Sequence, residues 1–115
     1  MSDKVILMVE DDDLLRNLIA AALGDLGFAV VTAHDGVAAL DILAAQPIDI
    51  LFSDISMPNG VSGIELARRA VQSQPGIRIL LASGFARAQL PDLPPQVAFL
   101  PKPYRIPQLL EMLAA

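Results

Sequence analysis

Five short apolar runs recur along the chain, separated by stretches whose apolar residues fall at helical spacing. The runs are Val5 to Val9, Ala29 to Ala33, Ile48 to Ser53, Ile77 to Ala82 and Val97 to Leu100. Near-continuous apolar runs of this length predict strands buried on both faces, the pattern of a parallel sheet. Between the first two, Leu14, Leu15, Leu18, Ile19, Ala22, Leu23 and Leu26 recur at the helical period and predict one buried face. Asp12 or Asp13 is placed to cap that helix, and Gly27 to end it. Asp35-Gly36 opens a second helix carrying Val37, Leu40 and Leu43. Residues 63–74 hold a third, with Ile64, Ala67, Ala70 and Val71 on one face, ended before Pro75-Gly76. Ile106, Leu109, Leu110 and Leu113 stripe a last helix. Strand–helix alternation implies right-handed crossovers and an α/β fold with a doubly wound, five-stranded parallel sheet. The segment GFARAQLPDLPPQ between the fourth and fifth strands leaves room for at most a short helix, around Ala86 to Leu90. Its prolines remove donors and clash with preceding carbonyls.

Composition narrows the function. The chain has 115 residues, 54% hydrophobic and 18% charged, which predicts one packed domain over residues 1–115. No apolar run approaches the ~20 residues that span a bilayer, so no membrane role is expected. The opening MSDKVILMVEDDD meets four acids directly after its apolar stretch, unlike a secretory signal. There is no cysteine, which excludes thiolate metal sites and cysteine nucleophiles and fits a cytoplasmic location. His34 is the one histidine and reads as a surface turn residue. A net charge of −5 repels phosphate backbones, so no nucleic-acid partner is expected.

In a doubly wound sheet, ligands bind beyond the carboxyl ends of the strands. Glu10, Asp11 and Asp12 follow the first strand, Asp54 the third, Ser83-Gly84 the fourth, and Pro101-Lys102-Pro103 the fifth. Topology therefore predicts that carboxylates, a hydroxyl and an ammonium converge. Clustered carboxylates require a hard cation or raised pKa values. Oxygen ligands suit Mg²⁺. A carboxylate can act as a nucleophile toward phosphorus, and a hydroxyl and an ammonium can bind phosphoryl oxygens.

The strings VILMVEDDDLLR, FSDISMP, LLASGF and FLPKPY, in this order and each at a strand end, resemble the four signature blocks of response-regulator receiver domains. The resemblance covers essentially the whole chain. It implies a flavodoxin-like (βα)5 sandwich, here with a shortened fourth helix, and a phosphoacceptor switch in a two-component phosphorelay. Carried over residue by residue, Glu10 and Asp11 are the acidic pair for Mg²⁺. Asp54 is the phosphoacceptor and a metal ligand, and Ser56 offers its backbone carbonyl to the metal. Ser83 is the switch hydroxyl, Lys102 pairs with the phosphoryl oxygens, and Phe99 occupies the aromatic switch position. A cis peptide at Lys102-Pro103 is also implied. The implied partners are a histidine kinase or histidine phosphotransfer protein, and a downstream protein on the face of the last strand and last helix. No turnover is implied beyond self-catalysed phosphorylation of Asp54 and hydrolysis of the product.

Two departures stand out. The loop ISMPNGVSG is about one residue longer before its glycine than the commonest pattern, and the stretch between Ser83 and Lys102 is short and proline-rich. With SGF and KPY around it, that stretch is similar to receivers that stand alone or belong to hybrid histidine kinases. Taken one at a time, the residues carry plainer readings. Asp12 and Asp13 suit a helix N-terminus, Ser83 a loop cap, Phe99 the core, and Arg68 and Arg69 a solvated face. Asp49 is expected near the start of its strand and exposed. Arg87 and Arg105 lie near the strand ends and could touch a partner. Two other functions compete: a Mg²⁺-dependent phosphohydrolase, which would need a second aspartate just after Asp54, and an adaptor that has lost the switch.

Overall fold

The computed structural model describes residues 4–57, 59–84 and 91–114. Its elements are β1 (Val5–Val9), α1 (Asp13–Asp25), β2 (Ala29–Ala33), α2 (Gly36–Ala45), β3 (Ile50–Asp54), α3 (Gly63–Ser73), β4 (Arg78–Ser83), β5 (Val97–Pro101) and α4 (Ile106–Ala114). All strand pairs are parallel, in the order β2-β1-β3-β4-β5. The expected α/β doubly wound sheet is therefore present. The short helix expected around Ala86 to Leu90 lies outside the described residues, as does Arg87.

Alternation along the strands builds two cores. Leu7, Val9, Leu51, Ile79 and Leu81 point to one face, where Ala39 and Leu43 of α2 and Leu66, Ala67 and Ala70 of α3 cover them. Ile6, Met8, Ile50, Phe52, Leu80 and Ala82 point to the other, where Ile19 and Leu23 of α1 and Leu109 and Leu113 of α4 cover them. The chain reverses direction across the sheet between β1 and β3. Those two adjacent strands feed helices on opposite faces and leave a crevice at their carboxyl ends.

The central strands β1, β3 and β4 are buried on both faces as expected, but β2 and β5 are edge strands with exposed positions. Two strands begin later than the apolar runs suggest. Asp49 precedes β3, is exposed, and its carboxylate accepts a hydrogen bond from Val5 N at 2.8 Å. Ile77 precedes β4. Asp54 and Ser83 are then the last residues of their strands and do not follow them.

The starts of α1, α2 and α3 are capped by side chains. Asp12 accepts from Leu15 N, Asp35 from Ala38 N, and Ser62 from Glu65 N, each meeting a backbone donor without an intrahelical partner. Gly27, at φ +95°, ends the first helical segment as expected. The buried face of α1 is narrower than its leucines suggest. Leu15, Ile19 and Leu23 turn inward, while Leu14 is 80% exposed and Leu18 and Leu26 are more than half exposed. Val37 of α2 is likewise exposed.

Candidate phosphoacceptor site

Register places the site. Val9 pairs with Ser53, so Glu10 emerges beside Asp54, and Asp54 pairs with Ala82. Ser83 pairs with Pro101, and Lys102 N donates to Ser83 O at 2.8 Å. Four strand ends, those of β1, β3, β4 and β5, thus deliver Glu10, Asp11, Asp54, Ser83 and Lys102 to one crevice, as their positions in the sequence predict.

Glu10, Asp11 and Asp54 each offer a carboxylate oxygen, and these oxygens lie within 4.8 Å of one another. Glu10 is 5% and Asp54 8% exposed, whereas Asp11 faces solvent. Burial pushes the Glu10 carboxyl up, and its neighbours Asp54 and Asp11 push the same way. A hydrogen bond from Asp12 N, at 3.0 Å, pulls against them. Lys102 Nζ stands 2.6 Å from Asp54 Oδ1. Two buried carboxylates and an exposed third suit a hard divalent cation bound through oxygen, and the cluster contains no thiolate or imidazole.

Ser83 is buried at the end of β4. Ser56 is exposed two residues beyond Asp54, and Phe99 is half-buried against the α2/α3 core. The Lys102-Pro103 peptide is cis. His34 lies at the surface with Nε2 3.4 Å from Asp35 Oδ2.

Three contacts at the site have no signal in the sequence. Arg16 Nη1 donates to the Glu10 carbonyl at 2.9 Å, and Nη2 pairs with Asp13. Tyr104 packs edge-on against Phe52, with ring centroids 6.1 Å apart, and its hydroxyl pKa is pushed up to about 12 by burial and by the charges of Asp54 and Glu10. Asp35 accepts from Asn59 Nδ2 and ties α2 to the loop after Asp54; the two hydrogen bonds, from Ala38 N and from Asn59, hold its carboxyl below the usual range. Arg16 and Tyr104 both lie inside the signature strings, but nothing in the spacing marks their contacts. The Asn59 contact joins segments 24 residues apart.

Known proteins share this fold. The family model described as the response regulator receiver domain matches residues 6–114, and the chain belongs to that family. It is similar to the response regulator receiver protein CpdR of Brucella abortus, 36% identical over 110 residues, covering 93% of this chain and 91% of CpdR. It is also similar to the sensor kinase CckA of the same organism, 37% identical over 109 residues, which is 90% of this chain but 11% of the kinase. The solved receiver domain of the hybrid histidine kinase CckA superposes with a TM-score of 0.80 at 35% identity, covering 96% of this chain and 95% of that domain. The response regulator TrrA of Thermotoga maritima, solved in complex with Mg²⁺–BeF, superposes with a TM-score of 0.80 at 26% identity, covering 96% of each chain. The chain is therefore a signalling domain of the two-component phosphoacceptor kind, related both to a response regulator and to the receiver of a kinase. Among the described residues, no helix is long and apolar enough to cross a membrane.

Proposed function

We propose that residues 1–115 act as one receiver domain in which Asp54 takes a phosphoryl group from a phosphohistidine of a histidine kinase or histidine phosphotransfer protein. The observation that carries this reading is the pairing of Asp54 with Lys102 at 2.6 Å beside the Glu10–Asp11–Asp54 carboxylates. In transfer, an Asp54 carboxylate oxygen forms a bond to phosphorus as the phosphorus–nitrogen bond of the donor breaks. The electron pair of that bond returns to the imidazole, which takes up a proton.

Glu10, Asp11 and Asp54, with the backbone carbonyl of Ser56, would hold Mg²⁺; the acidic cluster supports a metal here, as does the similarity to TrrA, which was solved with Mg²⁺–BeF. Bound there, the ion supplies charge neutralisation for the phosphoryl oxygens. Lys102 exchanges its pairing with the Asp54 carboxylate for a pairing with a phosphoryl oxygen. Ser83, buried one strand away, donates its hydroxyl to the same group, and Phe99 on β5 follows it. The change is read by a protein on the β5/α4 face. Hydrolysis of the acyl phosphate on Asp54 resets the switch. An acidic chain without cysteine suits a cytoplasmic setting and a protein partner in place of a nucleic acid.

Intact mass after incubation with a small phosphodonor tests this. Wild type gains one phosphoryl group in the presence of Mg²⁺, and Asp54→Asn gains none. Equal labelling of both proteins would refute Asp54 as the acceptor.

A further inference from the structure

The acidic loop between β1 and α1 has a brace that does not touch the ligand carboxylates. The β1 ladder ends at Val9, and Glu10 N still bonds Ala33 O at 3.1 Å. The Glu10 carbonyl is taken instead by Arg16 Nη1 at 2.9 Å. Arg16 is fixed at its own end, because its N–H bonds Asp12 O at 2.9 Å within the first turn of α1. Its Nη2 holds Asp13 Oδ1 at 2.5 Å, and the side chain is 17% exposed against 82% for that of Asp13. A guanidinium is a rigid planar fork, so two such contacts fix its orientation.

The carbonyl of Glu10 lies in the peptide plane that leads into Asp11. A peptide is planar, so anchoring that oxygen also sets the direction of the Asp11 N–H and the position of its Cα. Asp11 is the exposed member of the carboxylate cluster, the one that burial does not hold in place. We propose that Arg16 is a positioning residue for the metal. It fixes the Glu10–Asp11 peptide so that both carboxylates meet the cation without reorganising. This rests on the reading that Glu10 and Asp11 hold Mg²⁺.

Sign separates positioning from simple charge. Removing a cation beside an acidic site should tighten binding of Mg²⁺ by Coulomb's law. Removing a positioning group should weaken it, and groups that orient metal ligands typically contribute about 10–100-fold in affinity. Calorimetric titration with MgCl₂ at fixed pH and ionic strength reads this directly, with circular dichroism as the check on folding. Arg16→Met is expected to bind Mg²⁺ at least about tenfold more weakly than wild type. Arg16→Lys, which keeps the charge and one donor but not the fork, is expected to recover only part of that loss. An Arg16→Met protein that binds as tightly as wild type, or more tightly, overturns the inference. If Arg16→Met does not fold, Arg16→Gln replaces it with the same two outcomes. Wild-type protein that binds no Mg²⁺ would sink the metal reading and this inference with it. Wild-type binding with an unaffected Arg16→Met would sink this inference alone.

Discussion

Gly63 is the first residue of α3, and its N–H donates to Ile55 O at 2.8 Å. A Cβ at Gly63 would stand 2.2 Å from the Asp54 carbonyl oxygen, 2.8 Å from Ile55 Cα and 2.9 Å from the Asp54 carbonyl carbon. Ordinary contact is about 3.5 Å, so Gly63→Ala must drive the start of α3 and the end of β3 apart by about 1 Å. All three obstructing atoms are backbone, and none can turn aside as a side chain could. Overpacking of this kind costs about 1–3 kcal/mol, and weakening the Gly63–Ile55 hydrogen bond adds about 1 kcal/mol. The expected loss is about 3 kcal/mol in denaturant unfolding. Two of the three displaced atoms belong to Asp54, the proposed phosphoacceptor. A misplacement of about 1 Å at a reacting group can cost about 10²-fold in rate, so labelling by a small phosphodonor, followed by intact mass, should slow by one to two orders of magnitude (~10–100-fold). Gly24 supplies the control. It is an exposed residue of α1, and a methyl added there would meet nothing within 4 Å. Gly24→Ala should stabilise by about 0.5–1 kcal/mol with labelling unchanged. Gly63→Ala within about 0.5 kcal/mol of wild type would refute the close-approach argument. Gly24→Ala as damaging as Gly63→Ala would show that the added methyl, and not its location, is responsible.

Two further outcomes follow, one at the opposite end of the sheet and one at the ring beside the acids. Gln74 closes the opposite end of the sheet, accepting from Ile48 N at 2.7 Å and donating to the carbonyls of Leu43 and Gln46 at 2.9 Å each. Gln74→Ala should cost about 2 kcal/mol in urea unfolding while Mg²⁺ affinity stays at the wild-type value, and a change in that affinity would contradict the separation of the two ends. Tyr104 is the one tyrosine in a chain without tryptophan, so tyrosinate absorbance after a stopped-flow pH jump reports it alone. Its pKa is raised to about 12 from 10.0, so the folded state keeps the proton longer than the unfolded chain does. The stability this contributes is full below pH 10 and is lost as pH rises toward 12. An inflection near 10 in folded protein would show that the hydroxyl is not held against the charges of Asp54 and Glu10.

The strands were legible because β1, β3 and β4 are covered on both faces and so read as unbroken apolar runs. Their ends were less so. Ile48 and Ile77 are buried like strand residues yet lie in connections, and hydrophobicity does not distinguish a covered connection from a ladder. The buried face of α1 is narrower than its apolar period for a related reason. Period alone admits Leu14, Leu18 and Leu26, but the sheet covers only the stripe carrying Leu15, Ile19 and Leu23. The acid, hydroxyl and ammonium positions were readable because parallel topology sends every strand's carboxyl end to one edge. Arg16, Tyr104 and the Asp35–Asn59 contact were not, because their roles depend on where a side chain reaches once the backbone is folded.

That difference bears on how the site is built. Glu10 and Asp54 are buried side by side, an arrangement a packed core disfavours because each carboxylate loses water and gains a like charge. The surrounding contacts divide the work of keeping them there. Lys102 meets Asp54 charge to charge, and it is the contact that a phosphoryl group would redirect. Arg16, the Asp12 N–H and the close approach of Gly63 act on the main chain of Glu10, on one Glu10 oxygen and on the main chain of Asp54 respectively. The Arg16 and Gly63 contacts are to main-chain atoms, for which a cation or phosphoryl group on the acids does not compete. A site that must accept and lose charge repeatedly without repacking needs its geometry held by groups that do not themselves change partners, and here those groups are backbone atoms and a guanidinium bound to backbone.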